Sequence, residues 1–205
     1  MWLLNESLIN SKVIKERLRL KLNRRQFLVQ STAWAAGASG LLLPDVAAAR
    51  TQDFWIKDRF IDIRRSQTGE RARVKFYENG RYVPEAYRNL CYIMRDVVDR
   101  NQVASMDIGL FNLIWGCQEW ARLVGIDDPY YQANSGHRTQ RHNSRTEGAA
   151  RNSYHITGQA GDGKIRGLDS SKFANMAKYY GIGGVGLYDN FVHTDTGRVR
   201  FWRGG

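Results

Sequence analysis

From Phe60 the chain alternates apolar and polar positions: Phe60-Ile61-Asp62-Ile63-Arg64-Arg65, then, beyond Thr68-Gly69-Glu70, Ala72-Arg73-Val74-Lys75-Phe76-Tyr77. Side chains in a strand point to opposite faces with period two, so the two runs predict a β-hairpin turning at the glycine. Asn79-Gly80 marks the next turn. From Pro84 the period lengthens, with Leu90, Ile93, Met94, Val97 and Val98 at helical spacing behind a proline suited to a first turn. Asp107 suits the cap of a second helix carrying Leu110, Phe111, Ile114, Cys117, Trp120 and Ala121 on its apolar face. Tyr130 to Asn134 predicts a short strand, and Gln140 to Asn152 a polar, basic loop. Ser170 to Tyr180 predicts a helix with Phe173, Met176 and Ala177 on one side. Gly181-Ile182-Gly183-Gly184-Val185-Gly186 follows that helix and leads into a strand at Leu187-Tyr188, the reverse of a phosphate-binding loop. Those glycines predict close backbone packing instead. Phe191 to Asp195 is read as a further strand.

The first 49 residues follow another pattern. Residues 1–22 are basic and amphipathic, and Asn23-Arg24-Arg25-Gln26-Phe27-Leu28 opens a modest apolar run ending at Leu43, Pro44 and Ala47-Ala48-Ala49. A basic region, an apolar core and an A-x-A site make an export signal. The paired arginines before x-Phe-Leu resemble the twin-arginine motif of bacterial Tat substrates. The run is too short and weak for a transmembrane helix, although an uncleaved anchor is the competing reading. The expectation is a Tat signal peptide over residues 1–49, exported by the Tat machinery and cleaved near Ala49. Residues 50–205 then form a periplasmic domain without stable membrane insertion.

Length and charge narrow the class. The chain of 205 residues, 42% hydrophobic and 12% aromatic, can bury one domain's core. Of the net charge of +11, +4 falls in residues 1–49 and +7 in the remainder, so the folded part is itself basic. A basic surface suits an acidic polymer: nucleic acid, anionic lipid or acidic cell-wall glycan. Nucleic acid fits an exported protein poorly, and no known DNA- or RNA-binding motif is present. The two cysteines, Cys91 and Cys117, lie on predicted helices without a CxxC pair. They are read as one disulfide or two buried thiols.

The chemistry concentrates in Ser153-Tyr154-His155-Ile156-Thr157-Gly158-Gln159-Ala160-Gly161-Asp162 and Asn190-Phe191-Val192-His193-Thr194-Asp195-Thr196-Gly197. Two histidines and a carboxylate, with a fourth position for water, form a catalytic zinc set. The candidate ligands are His155, Asp162 and His193, the first two bracketing a predicted glycine-containing turn. His193 and Asp195, two apart on a strand, share a face. Asp195 is therefore a candidate general base or the partner that orients His193. Arg138 is the candidate to bind a substrate carboxylate or stabilise an oxyanion. His142, in the basic loop, is read as solvated, and no G-x-S-x-G elbow supports a serine hydrolase.

Three motifs then carry a family resemblance. Ser153-x-His155-x-x-Gly158-x-Ala160-x-Asp162 resembles the signature of the zinc D-Ala-D-Ala carboxypeptidase and Hedgehog-like superfamily. Ser135-Gly136-His137-Arg138-Thr139 is similar to its S-G-Y/F-R-S/T segment, and Phe191 to Gly197 to the terminal F-V-H-x-D-x-G of the MepK murein endopeptidases. The resemblance implies an α+β fold, an antiparallel sheet with packed helices, and a periplasmic zinc peptidase cleaving peptidoglycan cross-links at meso-diaminopimelate. It implies zinc on His155, Asp162 and His193, and substrate binding by Arg138; the neighbouring His137 is a separate candidate substrate contact. The sequence departs from the pattern at His137, at Gly161 and Gly163, and at Asn190, where the carboxypeptidase branch has its catalytic Glu. Alternatives are a carboxypeptidase trimming stem peptides and a catalytically silent peptidoglycan-binding module.

Overall fold

The computed structural model describes Trp55 and residues 57–204; the expected export leader, residues 1–49, lies outside the described residues. The hairpin forms as its alternation predicts, with β1 (Arg59–Arg65) antiparallel to β2 (Arg71–Glu78). Gly69 takes a left-handed φ of 73° in the connection. Asn79 and Gly80, at φ 50° and 79°, turn the chain into the two-residue β3 (Arg81–Tyr82). Helix α1 (Pro84–Ile93) starts on its proline, and α2 (Ile108–Leu123) on Asp107, whose carboxylate accepts the Gly109 N–H at 2.8 Å.

The remaining elements are β4 (Tyr131–Ser135), the short α3 (Gln140–Asn143), β5 (Ala160–Ile165), α4 (Ser170–Tyr180), β6 (Gly184–Leu187), β7 (Val192–Asp195) and β8 (Arg200–Arg203). The eight strands form one sheet in the order β3-β2-β1-β4-β5-β7-β6-β8. The class is α+β, as expected. The sheet is mostly antiparallel, but β1 runs parallel to β4, and β6 parallel to β8.

Helices α1, α2 and α4 cover one face of the sheet. Ile61, Ile63, Phe76, Leu90, Phe111, Ile114 and Trp115 are fully buried between the layers. The geometry at Gly161 shows which face is which. A Cβ there would point at Met94 Cε and Leu110 Cδ2, so the neighbouring Asp162 points to the opposite, helix-free face. The ring of Tyr131, fully buried, occupies the space that side chains at Gly161 and Gly163 would need. On α2, Gln118 is buried yet satisfied: it donates to the Asp62 carbonyl at 2.6 Å and receives the Asp62 N–H at 3.4 Å. It thereby pairs the edge of β1 just before β4 joins at Ile63.

Four sequence expectations change. Helix α1 stops at Ile93 and does not reach Val97 or Val98, because Asp96 Oδ1 accepts the Val98 and Asp99 N–H groups at 3.0 Å and turns the chain. The glycine-containing turn expected between His155 and Asp162 forms at residues 154–158, but Asp162 itself lies on a full strand that the sequence reading did not predict. The polar 140–152 segment opens with α3 and buries Asn143, whose amide donates to the Ala150 carbonyl at 3.0 Å. His142 is not simply solvated: its Nδ1 lies 2.9 Å from Asp96 Oδ1.

Candidate metal centre

Three segments meet on the helix-free face. The first is Ser135 to Thr139, at the end of β4. Gly136 is required there because a Cβ would overlap the Met94 carbonyl, which is itself left free by the end of α1. That carbonyl accepts the His137 N–H at 2.7 Å. Thr139 closes the segment: its N–H reaches Asp96 at 2.8 Å, its hydroxyl reaches Asp99 at 2.6 Å, and it caps α3 through the His142 N–H. The second segment is the turn Tyr154 to Gly158, which ends at φ 68° on Gly158, where a Cβ would overlap the Ser105 carbonyl. The third is the β5–β7 pair, whose register sets Asp162 directly opposite His193.

These segments bring His155, Asp162 and His193 together. His155 Nε2 lies 3.2 Å and His193 Nδ1 2.8 Å from Asp162 Oδ1, and the two nitrogens are 3.3 Å apart. Each outer ring nitrogen is committed elsewhere. His155 Nδ1 lies 2.6 Å from the Gly136 carbonyl, and His193 Nε2 lies 3.1 Å from Asp195 Oδ2. Both partners are acceptors, so in the neutral rings the protons sit on the outer nitrogens and the lone pairs turn inward. Two lone pairs and a carboxylate oxygen then converge with no donor between them, an arrangement that suits a cation. The donor set fits a divalent metal of the zinc type.

The electrostatics follow from this crowding. Burial pushes the Asp162 carboxyl up, but its attraction to His155 and then His193, whenever those rings carry an inward proton in place of a cation, outweighs burial and holds the group well below the usual carboxylate range. Burial pushes His193 down, but its contacts with Asp162 and Asp195 leave it more basic than an ordinary histidine. Burial likewise opposes ionisation of Asp195, which His193, Arg200 and the Gly184 and Gly197 N–H groups more than offset.

The other candidate residues sort by contact. Arg138 donates from Nη2 to Asp162 Oδ2 and from Nε to Ser135 Oγ at 2.7 Å, leaving Nη1 without a partner among the described residues. His137 is half-buried, with Nδ1 3.2 Å from the His155 carbonyl, and burial lowers its basicity. Asp195 is fully buried and tied to Arg200 Nη2 at 2.8 Å and to the N–H groups of Gly184 at 3.0 Å and Gly197 at 2.8 Å. So enclosed, it fits the expected partner that orients His193 better than the expected general base. Asn190, the position read against a catalytic Glu, is exposed.

Arg200 and Trp202 escaped the sequence reading. Trp202 lies over Gly186, where a Cβ would overlap its indole, and its ring centroid is 5.2 Å from that of His193. The alternation Arg200-Phe201-Trp202-Arg203 was the available signal.

The sequence profile of the peptidoglycan L,D-endopeptidase MepK family matches residues 55–202, almost the whole described chain. The chain belongs to this family. It is 34% identical over 186 residues to peptidoglycan L,D-endopeptidase MepK of Escherichia coli (strain K12), covering 88% of this chain and 97% of that protein. It is also 36% identical over 154 residues to the probable peptidoglycan L,D-endopeptidase MepK of Haemophilus influenzae, covering 72% and 81% respectively. No solved structure matches the chain. The MepK match agrees with the resemblance carried by the three motifs, and makes the chain a peptidase of a metallopeptidase family. Among the described residues, no helix is long and apolar enough to cross a membrane.

Proposed function

We propose that this protein is a peptidoglycan L,D-endopeptidase whose metal is zinc, held by His155, Asp162 and His193. The observation that carries the proposal is the convergence of two imidazole lone pairs and one carboxylate oxygen, within 2.8–3.3 Å of one another, in a MepK-family chain. Bound zinc supplies Lewis acidity that polarises a peptide carbonyl and makes water a nucleophile near neutral pH. The chain's own residues do the rest. The Gly136 carbonyl and Asp195 fix the two rings, so the inward nitrogens need no reorganisation. Arg138 holds the second oxygen of Asp162 and keeps Nη1 for a substrate carboxylate or a developing oxyanion. His137, on the same segment, is the neighbouring substrate contact.

The leader motif, Asn23-Arg24-Arg25-Gln26-Phe27-Leu28, supports twin-arginine export, with residues 1–49 removed and residues 50–205 working in the periplasm on peptidoglycan. The absence of a glutamate at Asn190 favours cross-link hydrolysis over carboxypeptidase trimming. A purified cross-linked muropeptide dimer tests this: an endopeptidase yields two monomers, resolved by mass spectrometry. Release of a single terminal residue would assign the carboxypeptidase activity, and an intact dimer would leave only a binding role.

A further inference from the structure

The helix-free face that carries the metal centre continues across β5, β4, β1 and β2, and its register can be read strand by strand. Lys164 lies two residues beyond Asp162 on β5, hence on the same face. Lys164 pairs with Gln132 on β4, Gln132 with Arg64 on β1, and Arg64 with Arg71 on β2. These four side chains form one row across the sheet, one pleat repeat away from the row that holds Asp162 and His193. At about 3.3 Å per residue, the Lys164 end lies roughly 7 Å along the strand from Asp162. At about 4.8 Å per strand, Arg64 lies roughly 10 Å to the side of Lys164.

The basic residues of this face are not equally answered. Arg71 pairs with Asp62 at 2.7 Å and with Asp128 at 3.1 Å, Arg73 lies 3.6 Å from Asp62, and Arg166 lies 3.6 Å from Asp128. Asp62 and Asp128 thus neutralise the part of the face farthest from the metal centre. Arg64 and Lys164, the cations of the row that lie nearer the centre than Arg71, are exposed and have no acidic partner among the described residues. Gln132 between them is half-buried and donates to Ser66 Oγ at 3.2 Å, so it fills the gap without adding a charge. Two uncompensated cations held at fixed spacing on a rigid sheet, on the approach to a peptide-cleaving centre, form an anion-reading surface.

We infer that Arg64 and Lys164 bind carboxylates of an acidic peptide substrate two to four residues from the bond placed at the metal centre. An extended peptide advances about 3.3–3.6 Å per residue, which matches the separation of the row from Asp162. The inference rests on the hydrolase reading for its substrate but not for the binding itself. It makes substrate charge a determinant of affinity and leaves the chemical step alone.

The test uses the full mature domain with Arg64→Gln, Lys164→Gln and the double substitution, and Arg73→Gln as a control in the neutralised part of the face. Substrates are a cross-linked muropeptide dimer and the same dimer with its carboxylates amidated. Cleavage kinetics are run with zinc, and binding is measured by titration with chelator present to stop turnover. The expected result is a roughly tenfold rise in KM and in the dissociation constant for the double variant on the native dimer, with kcat within about twofold. Amidation should weaken wild-type binding at least as much, and should weaken the double variant's binding by much less, while Arg73→Gln should behave as wild type. Unchanged KM and binding in a folded double variant would overturn the inference and leave the hydrolase intact. Carboxylate-dependent binding without cleavage would do the reverse, keeping the row and removing the hydrolase.

Discussion

Asp195 accepts from His193, from Arg200 and from two backbone N–H groups, so its position is fixed on every side. Asp195→Asn keeps the size but removes the negative charge that holds the His193 proton outward. Zinc affinity should fall about 10–100-fold, the usual consequence of losing a carboxylate behind a metal-bound histidine. Competition with a chelating dye measures it, and unchanged affinity would show that the Gly186–Trp202 packing alone orients the ring. Arg138→Lys is the complementary test. Lysine keeps a charge but cannot span Asp162 and Ser135 together, so kcat/KM should fall at least about tenfold with folding intact. At this scale the convergence of His155, Asp162 and His193, with Asp195 behind His193, was legible from spacing and residue type. Arg200 was not, because its role depends on a parallel pairing between β6 and β8 that no local pattern encodes.

Elements carry the centre through a few backbone joints. Asp107 caps α2, accepts the Thr196 hydroxyl at 2.7 Å and sends its own N–H to the Gly158 carbonyl at 2.8 Å. It therefore ties α2 to the turn holding His155 and to the chain just past β7. Asp107→Ala should cost about 1–2 kcal/mol. For a domain of this size that lowers the melting temperature by about 2–8 °C, readable by thermal denaturation. Gly183→Ala is expected to be worse than a propensity change, since its Cβ would overlap the Asp195 carbonyl and push β6 from β7. Loss of zinc binding should accompany its loss of stability. The hairpin and the helices were legible because their periods differ so clearly. Strand β5 was not: Ala-Gly-Asp-Gly-Lys-Ile has two glycines where alternation would show, and its strand character comes from β4 and β7 on either side. The end of α1 was overread because Met94 is buried like a helical residue, although Asp96 has already turned the chain.

Across the whole molecule, the sheet separates two jobs. One face buries the apolar core under the helices, and the other carries the candidate ligands and the basic row. The α+β class was what the three-motif resemblance implied, but the parallel β1–β4 pairing joins segments distant in sequence and left no local trace. Cys91 and Cys117 are free thiols buried in the core, where burial pushes Cys91 up and Cys117 well above the usual thiol range. They should stay unreactive toward a thiol reagent in the native protein and react together on unfolding, followed by mass spectrometry. The central claim is metal-dependent hydrolysis of peptidoglycan cross-links. Its most direct measurement is digestion of purified sacculi by residues 50–205 with zinc, with chelator, and with His155→Ala, followed by fragment mass spectrometry. Loss of L,D-cross-linked fragments with zinc alone, stopped by chelator and by the substitution, is the predicted result. Unchanged cross-linking by a folded, zinc-loaded protein would contradict it.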